Sequence, residues 1–387
     1  MLGFILFFFF AAILMGWHII PYILLISLRK RLFDPVNARK VHKGIVPRLG
    51  GIAFVPIQAV LLTLSVVYLY KYAPQVLNED ITSWMPMFLG LTSGLLMLFI
   101  MGMMDDLIGV NYKAKFAIQF IAACIFPLSG LWINDLYGIL FITSIPEWIG
   151  YPLTVFVVVL IVNATNLIDG LDGLCTGLMM VGTFTLGALF FYNGAWIHAV
   201  FAFISAGMLV PFFYFNVLGK TKKKRRIFMG DTGSLTLGYT ISFLALSYTM
   251  NNPDIKHFSE GAIVVAFSMV LVPVLDVARV VFFRFRHKQP LFQPDRNHIH
   301  HKFLRLGFSH HASMLLILLL ALCFNVFNIV GVELISNNII LFLDIVIWIS
   351  FHLWLDWLQK RRPIPIAVPI NKEKEKEQNQ NKTNITS

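Results

Sequence analysis

The sequence predicts an all-α integral membrane protein of about eleven transmembrane helices, with its amino terminus outside and its carboxyl terminus in the cytoplasm. Three observations predict this. Of 387 residues, 57% are hydrophobic and only 13% charged, with a mean hydropathy of +0.74, far from the composition of soluble domains. Apolar runs long enough to cross about 30 Å of hydrocarbon recur along the chain. Lys and Arg gather in alternate gaps between those runs, the bias that marks cytoplasmic loops.

The runs lie near 2 to 28, 49 to 70, 85 to 103, 114 to 133, 151 to 165, 174 to 192, 196 to 217, 232 to 250, 259 to 283, 312 to 334 and 338 to 358. The first has no basic residue before it and Arg29, Lys30 and Arg31 after it. That pattern predicts a span with its amino terminus outside, rather than a cleaved signal peptide. With this orientation 29 of the 31 Lys and Arg residues fall inside, and only Lys71 and Lys256 fall outside. The net charge of +11 therefore reports orientation and anionic headgroups, not nucleic acid. Residues 1–360 read as one transmembrane domain, and 361–387, rich in Lys, Glu, Asn and Gln, as a largely disordered cytoplasmic tail. Cys124, Cys175 and Cys323 lie in or beside apolar runs without metal or disulfide spacing, so they read as packing residues. No internal repeat supports a transporter. The outer segment 135–150 reads as a small hairpin or an interfacial stretch.

Polar chemistry is concentrated at the predicted cytoplasmic ends of the spans. The run Asn163 to Leu174 places Asn163, Asn166, Asp169 and Asp172 at the edge of hydrocarbon, where polar groups are a functional-site hypothesis by default. If the segment stays helical, Asn166 and Asp169 share a face, as do Asp169 and Asp172. Asp105 and Asp106 end the third run; adjacent carboxylates on a helix point about 100° apart, so they are expected to play different roles. Asp231, between Gly230 and Gly233 at the start of the eighth run, is either a helix cap or a cation ligand. Residues Gly219, Lys220 and Thr221 do not form a phosphate loop, because the required first glycine is Tyr214.

Between the ninth and tenth runs, Arg296, His298, His300, His301 and Lys302 suit a polyanion such as a diphosphate. Lys43 and Arg48 precede the second run within reach of phosphates, and Gly50 and Gly51 allow close packing. Several carboxylates with basic groups, and no nucleophilic triad or redox pattern, point to metal-assisted phosphoryl chemistry with magnesium as the preferred ion. The membrane setting suggests that one substrate is a lipid.

The MDD run ending at Asp106, the NxxNxxDGxDGL run from Asn163, the FMGDxGSL run from Phe228 and the DRxHIHH run ending at His301 together resemble the polyprenyl-phosphate N-acetylhexosamine-1-phosphate transferases. Pro47-Arg48-Leu-Gly50-Gly51 and the His298-Ile-His300-His301 order look like the UDP-N-acetylglucosamine:undecaprenyl-phosphate branch, which starts O-antigen, teichoic acid or capsule chains. The muramoyl-pentapeptide branch is similar but tends to carry three consecutive histidines, which Ile299 interrupts.

The resemblance implies a bacterial inner-membrane enzyme that moves a sugar-1-phosphate from a UDP-N-acetylhexosamine to undecaprenyl phosphate at the cytoplasmic face, releasing UMP. It implies Mg2+, or Mn2+, held by Asp231 with Asp106 and Asp169. Asp105, Asp106 and Asp169 match the essential acids, and Asp105 would deprotonate or position the lipid phosphate. Asn166, Asp172 and Phe228 match nucleotide-contacting positions, with Phe228 stacking on uracil, and Asn163 counts among the substrate-binding residues. Lys43, Arg48, Arg296, His298, His300 and His301 would hold the phosphates. A homodimer is left open. An aspartate-rich prenyltransferase and a non-catalytic lipid-phosphate carrier are the remaining alternatives.

Overall fold

The computed structural model describes residues 1–30, 32, 46–76, 81–219, 225–290 and 297–361. The tail expected to be disordered lies outside the described residues beyond Arg361. Every predicted apolar run is occupied by helix. In chain order these are α1 Leu2–Arg29, α2 Phe54–Tyr72, α3 Ile81–Ile108, α4 Tyr112–Leu128, α5 Glu147–Ile168, α6 Leu174–Tyr192 and α7 Trp196–Phe213. They continue with α8 Gly230–Thr249, the pair α9 Ala262–Ser268 and α10 Leu271–Arg286, the short α11 Ile299–Arg305, then α12 His310–Gly331 and α13 Asn337–Arg361. Among the described residues there is no strand, only one antiparallel bridge between Asp135 and Ser144.

Among the described residues, eight helices are long and apolar enough to cross a membrane, nine if α9 and α10, bent by 78°, form one span. The eleven predicted runs exceed that number at α4 and α8. With 17 residues, α4 is short for a span. The reason at α8 is different: every residue from Thr232 to Thr249 is buried by protein, so the helix has no lipid-facing side and can be rich in Ser and Thr. Its hydroxyls bond to its own backbone, Thr236 to Thr232 O at 2.7 Å, Thr240 to Thr236 O at 2.9 Å and Ser242 to Gly238 O at 2.7 Å. These three hydroxyls are thereby satisfied without water, whereas the buried hydroxyls of Ser247 and Thr249 have no partner among the described residues.

Around α8 pack α3, α5, α6 and α9. The Tyr239 ring stacks on Phe126 with centroids 4.3 Å apart, and its hydroxyl donates to Ala122 O at 2.9 Å, fastening α8 to α4. Gln58 on α2 donates to Ser205 on α7 at 2.9 Å and to Thr240 at 3.1 Å. At the end of the bundle where α3 begins, the 131–146 segment forms a small hairpin, one of the two readings of 135–150, while residues 147–150 already belong to α5. Tyr137 donates its hydroxyl to Thr249 O at 2.6 Å, and Asn337 and Asn338 at the start of α13 donate to Tyr137 O and Gly138 O at 2.8 and 2.7 Å. The opposite end of the bundle carries the acids.

Candidate active site

Asp105 and Asp106 end α3, and they face different partners, as adjacent helical residues must. The Asp105 carboxylate accepts from Val110 N at 2.7 Å and from the Lys115 ammonium at 3.0 Å. The same ammonium pairs with Asp231 at the start of α8. Asp106 instead accepts three hydrogen bonds from α8: Asp231 N at 2.8 Å, Thr232 N at 2.9 Å and the Thr232 hydroxyl at 2.6 Å. A helix start leaves its first N–H groups without intrahelical partners. Here another helix supplies the cap, and Asp231 is left free of that task.

The turn into α8 depends on two glycines. Gly230 has φ +74°, and a Cβ there would meet Arg48 O at 2.0 Å and Asp106 Oδ2 at 2.5 Å. Gly51 lies so close to Gly233 that a Cβ would stand 2.2 Å from its Cα and N. Through this contact the two glycine-containing runs pair along their backbones. Phe228 N donates to Pro47 O at 2.8 Å, Gly50 N to Phe228 O at 3.0 Å and Gly51 N to Met229 O at 2.9 Å.

The Asn163 run does not stay helical throughout: α5 ends at Ile168 and Asp169 is already its C-cap. Asp169 and Asp172 therefore sit on a turn, not on one helix face. Asn163 donates to Gln119 at 2.5 Å and to Val159 O at 2.8 Å, while Asn166 reaches Ser234 on α8 at 2.8 Å. Burial pushes the Asp169 carboxyl well above its usual range, Asp231, Asp172 and Asp106 add repulsion, and Arg48 opposes them. Asp172 forms an ion pair with Arg226, whose guanidinium also lies 5.9 Å from the Phe228 ring centroid. In the π turn Tyr214–Leu218, Asn216 accepts from Gly173 N at 2.6 Å and donates to Ile227 O at 2.9 Å. That one amide joins the turn carrying Asp172 to the strand-like run before Asp231.

The histidines open and line α11. His300, almost fully buried, points Nε2 at the acidic turn, where a Cβ on Gly170 would stand 2.6 Å from it. Its ring lies 4.2 Å from His301 and runs parallel to His298 at 6.0 Å. Burial, reinforced by His301 and His298, pushes His300 down to about 3. Beneath the helix, Lys302 pairs with Asp356 on α13 at 2.6 Å, and Gln359 donates to Lys302 O at 3.1 Å.

The structure thus gathers Asp105, Asp106, Asp169, Asp172, Asp231, Asn166, Phe228, Arg48 and His300 at one end of the bundle. Asn163 is one turn deeper on α5. Lys43 and Arg296 lie outside the described residues. Sequence reading missed Lys115, Asn216, Ser234 and Asp276, and took Arg226 as part of a topology signal that also attracts anionic headgroups. Only Asp276, an ionisable residue inside an apolar run, carried a usable signal.

Among the described residues no three carboxylate, imidazole or thiol groups surround one point as a ready metal cage. Magnesium needs less, one or two carboxylates completed by water and phosphate oxygens. Asp105 and Asp231 meet that requirement, since both already turn toward one cation, the Lys115 ammonium. The donors that surround Asp106 fit it for capping, so it is Asp105 that shares a cation with Asp231.

Comparison with known proteins matches the same region. The profile of glycosyl transferase family 4 covers residues 88–249, from α3 to the end of α8. A Bacillus subtilis (strain 168) protein described as a probable undecaprenyl-phosphate N-acetylglucosaminyl 1-phosphate transferase is 33% identical over 81% of this chain and 80% of its own length. The undecaprenyl-phosphate alpha-N-acetylglucosaminyl 1-phosphate transferases of Yersinia pestis and Escherichia coli (strain K12) are each 29% identical, over 79% and 75% of this chain and 78% and 74% of their own lengths. With the acids of α3, the α5 turn and α8 all inside the shared region, the chain belongs to glycosyl transferase family 4.

Proposed function

We propose that the protein transfers N-acetylglucosamine-1-phosphate from its UDP-sugar to undecaprenyl phosphate, releasing UMP and starting a cell-envelope polysaccharide. The observation that carries this reading is the meeting of Asp105, Asp231, Asp169 and His300, from four separate segments, at one end of an apolar bundle. The relatives' names favour undecaprenyl phosphate as acceptor, and N-acetylglucosamine over a muramoyl pentapeptide as the sugar. The basic loops support a bacterial inner-membrane location with eleven spans and the acids on the cytoplasmic side.

In the reaction an oxygen of the lipid phosphate bonds to the sugar-bearing phosphorus, and the bond between the two phosphates of the UDP-sugar breaks. Asp105, held by Val110 N and Lys115, orients the incoming lipid phosphate or takes its proton. Lys115, freed from the acids, and Arg48 hold phosphate oxygens, as phosphoryl transfer depends chiefly on positioning and charge stabilisation. Asp231 with Asp105 would hold Mg2+, which when bound neutralises charge on the diphosphate. Arg226 and Phe228 border the place where a uridine base can stack. The wall formed by His300 over Gly170 closes the acidic turn.

The test is incubation of purified protein in liposomes with labelled UDP-N-acetylglucosamine and undecaprenyl phosphate. UMP and lipid-linked label are expected in equal amounts, and both should vanish on complete chelation of divalent ions or in Asp231→Asn. Release of diphosphate instead of UMP, or unchanged transfer after chelation, would overturn the corresponding part of the reading.

A further inference from the structure

We propose that Asp276, on α10, is a positioning residue that fixes the tautomer of His298 and leaves its Nε2 to meet the substrate. This rests on the transfer reaction proposed above. Asp276 is fully buried, yet its carboxylate is surrounded by donors. His298 Nδ1 lies 2.8 Å from Oδ2, Ile299 N lies 3.0 Å from Oδ1, and Arg279 donates to Oδ1 at 2.9 Å. Arg279 also donates to Asn297 O, so the same pair grips both sides of His298. An ionised carboxylate only accepts, which requires the hydrogen of the imidazole to be on Nδ1 and leaves Nε2 as the one nitrogen available outward. The His298 ring runs parallel to His300, whose own Nε2 faces Gly170 beside Asp169. Asp276 therefore does two separable things: it caps the start of α11 through Ile299 N, and it holds the imidazole that stacks on His300.

A buried carboxylate is costly unless donors compensate it, and a nonpolar α10 would avoid that cost altogether. Capping of a short helix could be done by the side chain at its own N-cap position, as Ser309 does for α12. The link to His298 is what a carboxylate on a different helix adds. In metal sites, carboxylates behind ligating imidazoles fix tautomer and ring orientation, and their loss typically costs about 10- to 100-fold; the same scale is expected for this arrangement without a metal.

Asp276→Asn separates the two roles. Its amide oxygen still caps Ile299 N, while its NH2 turned to His298 would move the hydrogen to Nε2. The expected result is a melting temperature close to wild type, a kcat lowered about 10- to 100-fold, a smaller change in KM for the UDP-sugar, and partial recovery in Asp276→Glu. His298→Gln should lose as much as Asp276→Asn, and the double variant no more than either. Histidine 15N spectra, with the His298 signal found by its loss in His298→Gln, should show hydrogen on Nδ1 in wild type and on Nε2 in Asp276→Asn. Wild-type kcat in a folded Asp276→Asn, or additive losses in the double variant, would overturn the proposal. If Asp276→Asn does not fold, the wild-type spectrum decides: hydrogen on Nε2 alone overturns it. Should wild type transfer no label, the transfer reading fails while the spectra still judge the Asp276 to His298 link.

Discussion

Asp106 and Asp231 are both acidic residues beside glycine-rich or methionine-rich turns, and the structure gives them different work. Asp106 closes the open N–H groups of α8, which is worth about 0.5–2 kcal/mol for a helix cap. Asp231 turns its carboxylate to the Lys115 cation. The sequence carried the presence of both acids but not this division, since the partners of Asp106 lie about as far along the chain as a whole domain. Lys115 was invisible for the same reason: as one of two lysines near Lys113 it looked like an orientation signal. At Gly51 the requirement is steric. Because a Cβ would meet backbone atoms of Gly233 at 2.2 Å, Gly51→Ala must push the Pro47 to Gly51 run off α8. Overpacking of this kind costs about 1–3 kcal/mol, so a lower melting temperature in detergent and at least a tenfold fall in transfer are expected. Gly3→Ala, with open space around the new methyl, should change neither.

At the scale of elements, apolar runs located all the long helices, while their ends were less legible. A shared helical face from Asn166 to Asp172 required the segment to stay helical, and α5 stops at Ile168, with Gly173 at φ +77° in the turn that follows. The short α11 was not foreseen as a helix, because its seven residues lie between basic loops and are held by Asp276 and Asp356 from other helices. Its buried His300 gives this element an acid sensitivity. The folded state holds His300 near 3 against an ordinary value of 6.5, so below pH 6.5 the unfolded chain binds a proton that the folded chain refuses. Stability then falls as pH drops from 6.5 toward 3, and no such penalty exists above 6.5. His300→Gln should therefore lose less melting temperature than wild type between pH 7 and pH 5. Equal losses would show that His300 does not titrate in this way.

Across the whole molecule, composition carried the membrane class, because it is summed over many residues and tolerates local error, while the charge bias gives the expected side of each loop. Hydropathy located α8 as a helix, but its neighbours are protein on all sides, so hydropathy does not measure its depth. Contacts such as Asn337 to Tyr137 join residues 200 apart and leave no local trace. Orientation can be checked directly in a background lacking Cys124, Cys175 and Cys323. A membrane-impermeant thiol reagent should label Ser144→Cys in intact cells, and Lys288→Cys only after permeabilisation. The opposite pattern would invert the molecule and place the acids outside.

The last helix is gripped at both extremities, by the hairpin through Asn337 and Asn338 and by the histidine segment through Asp356. Its 25 residues reach about 37 Å, so it works as a tie rod whose length is fixed while the solvent around it is not. Lipids with longer or shorter tails tilt or compress spanning helices to match their own thickness. A rod anchored at each tip would transmit that tilt to the imidazoles, and turnover in vesicles of graded acyl length should peak at one thickness and decline on either side.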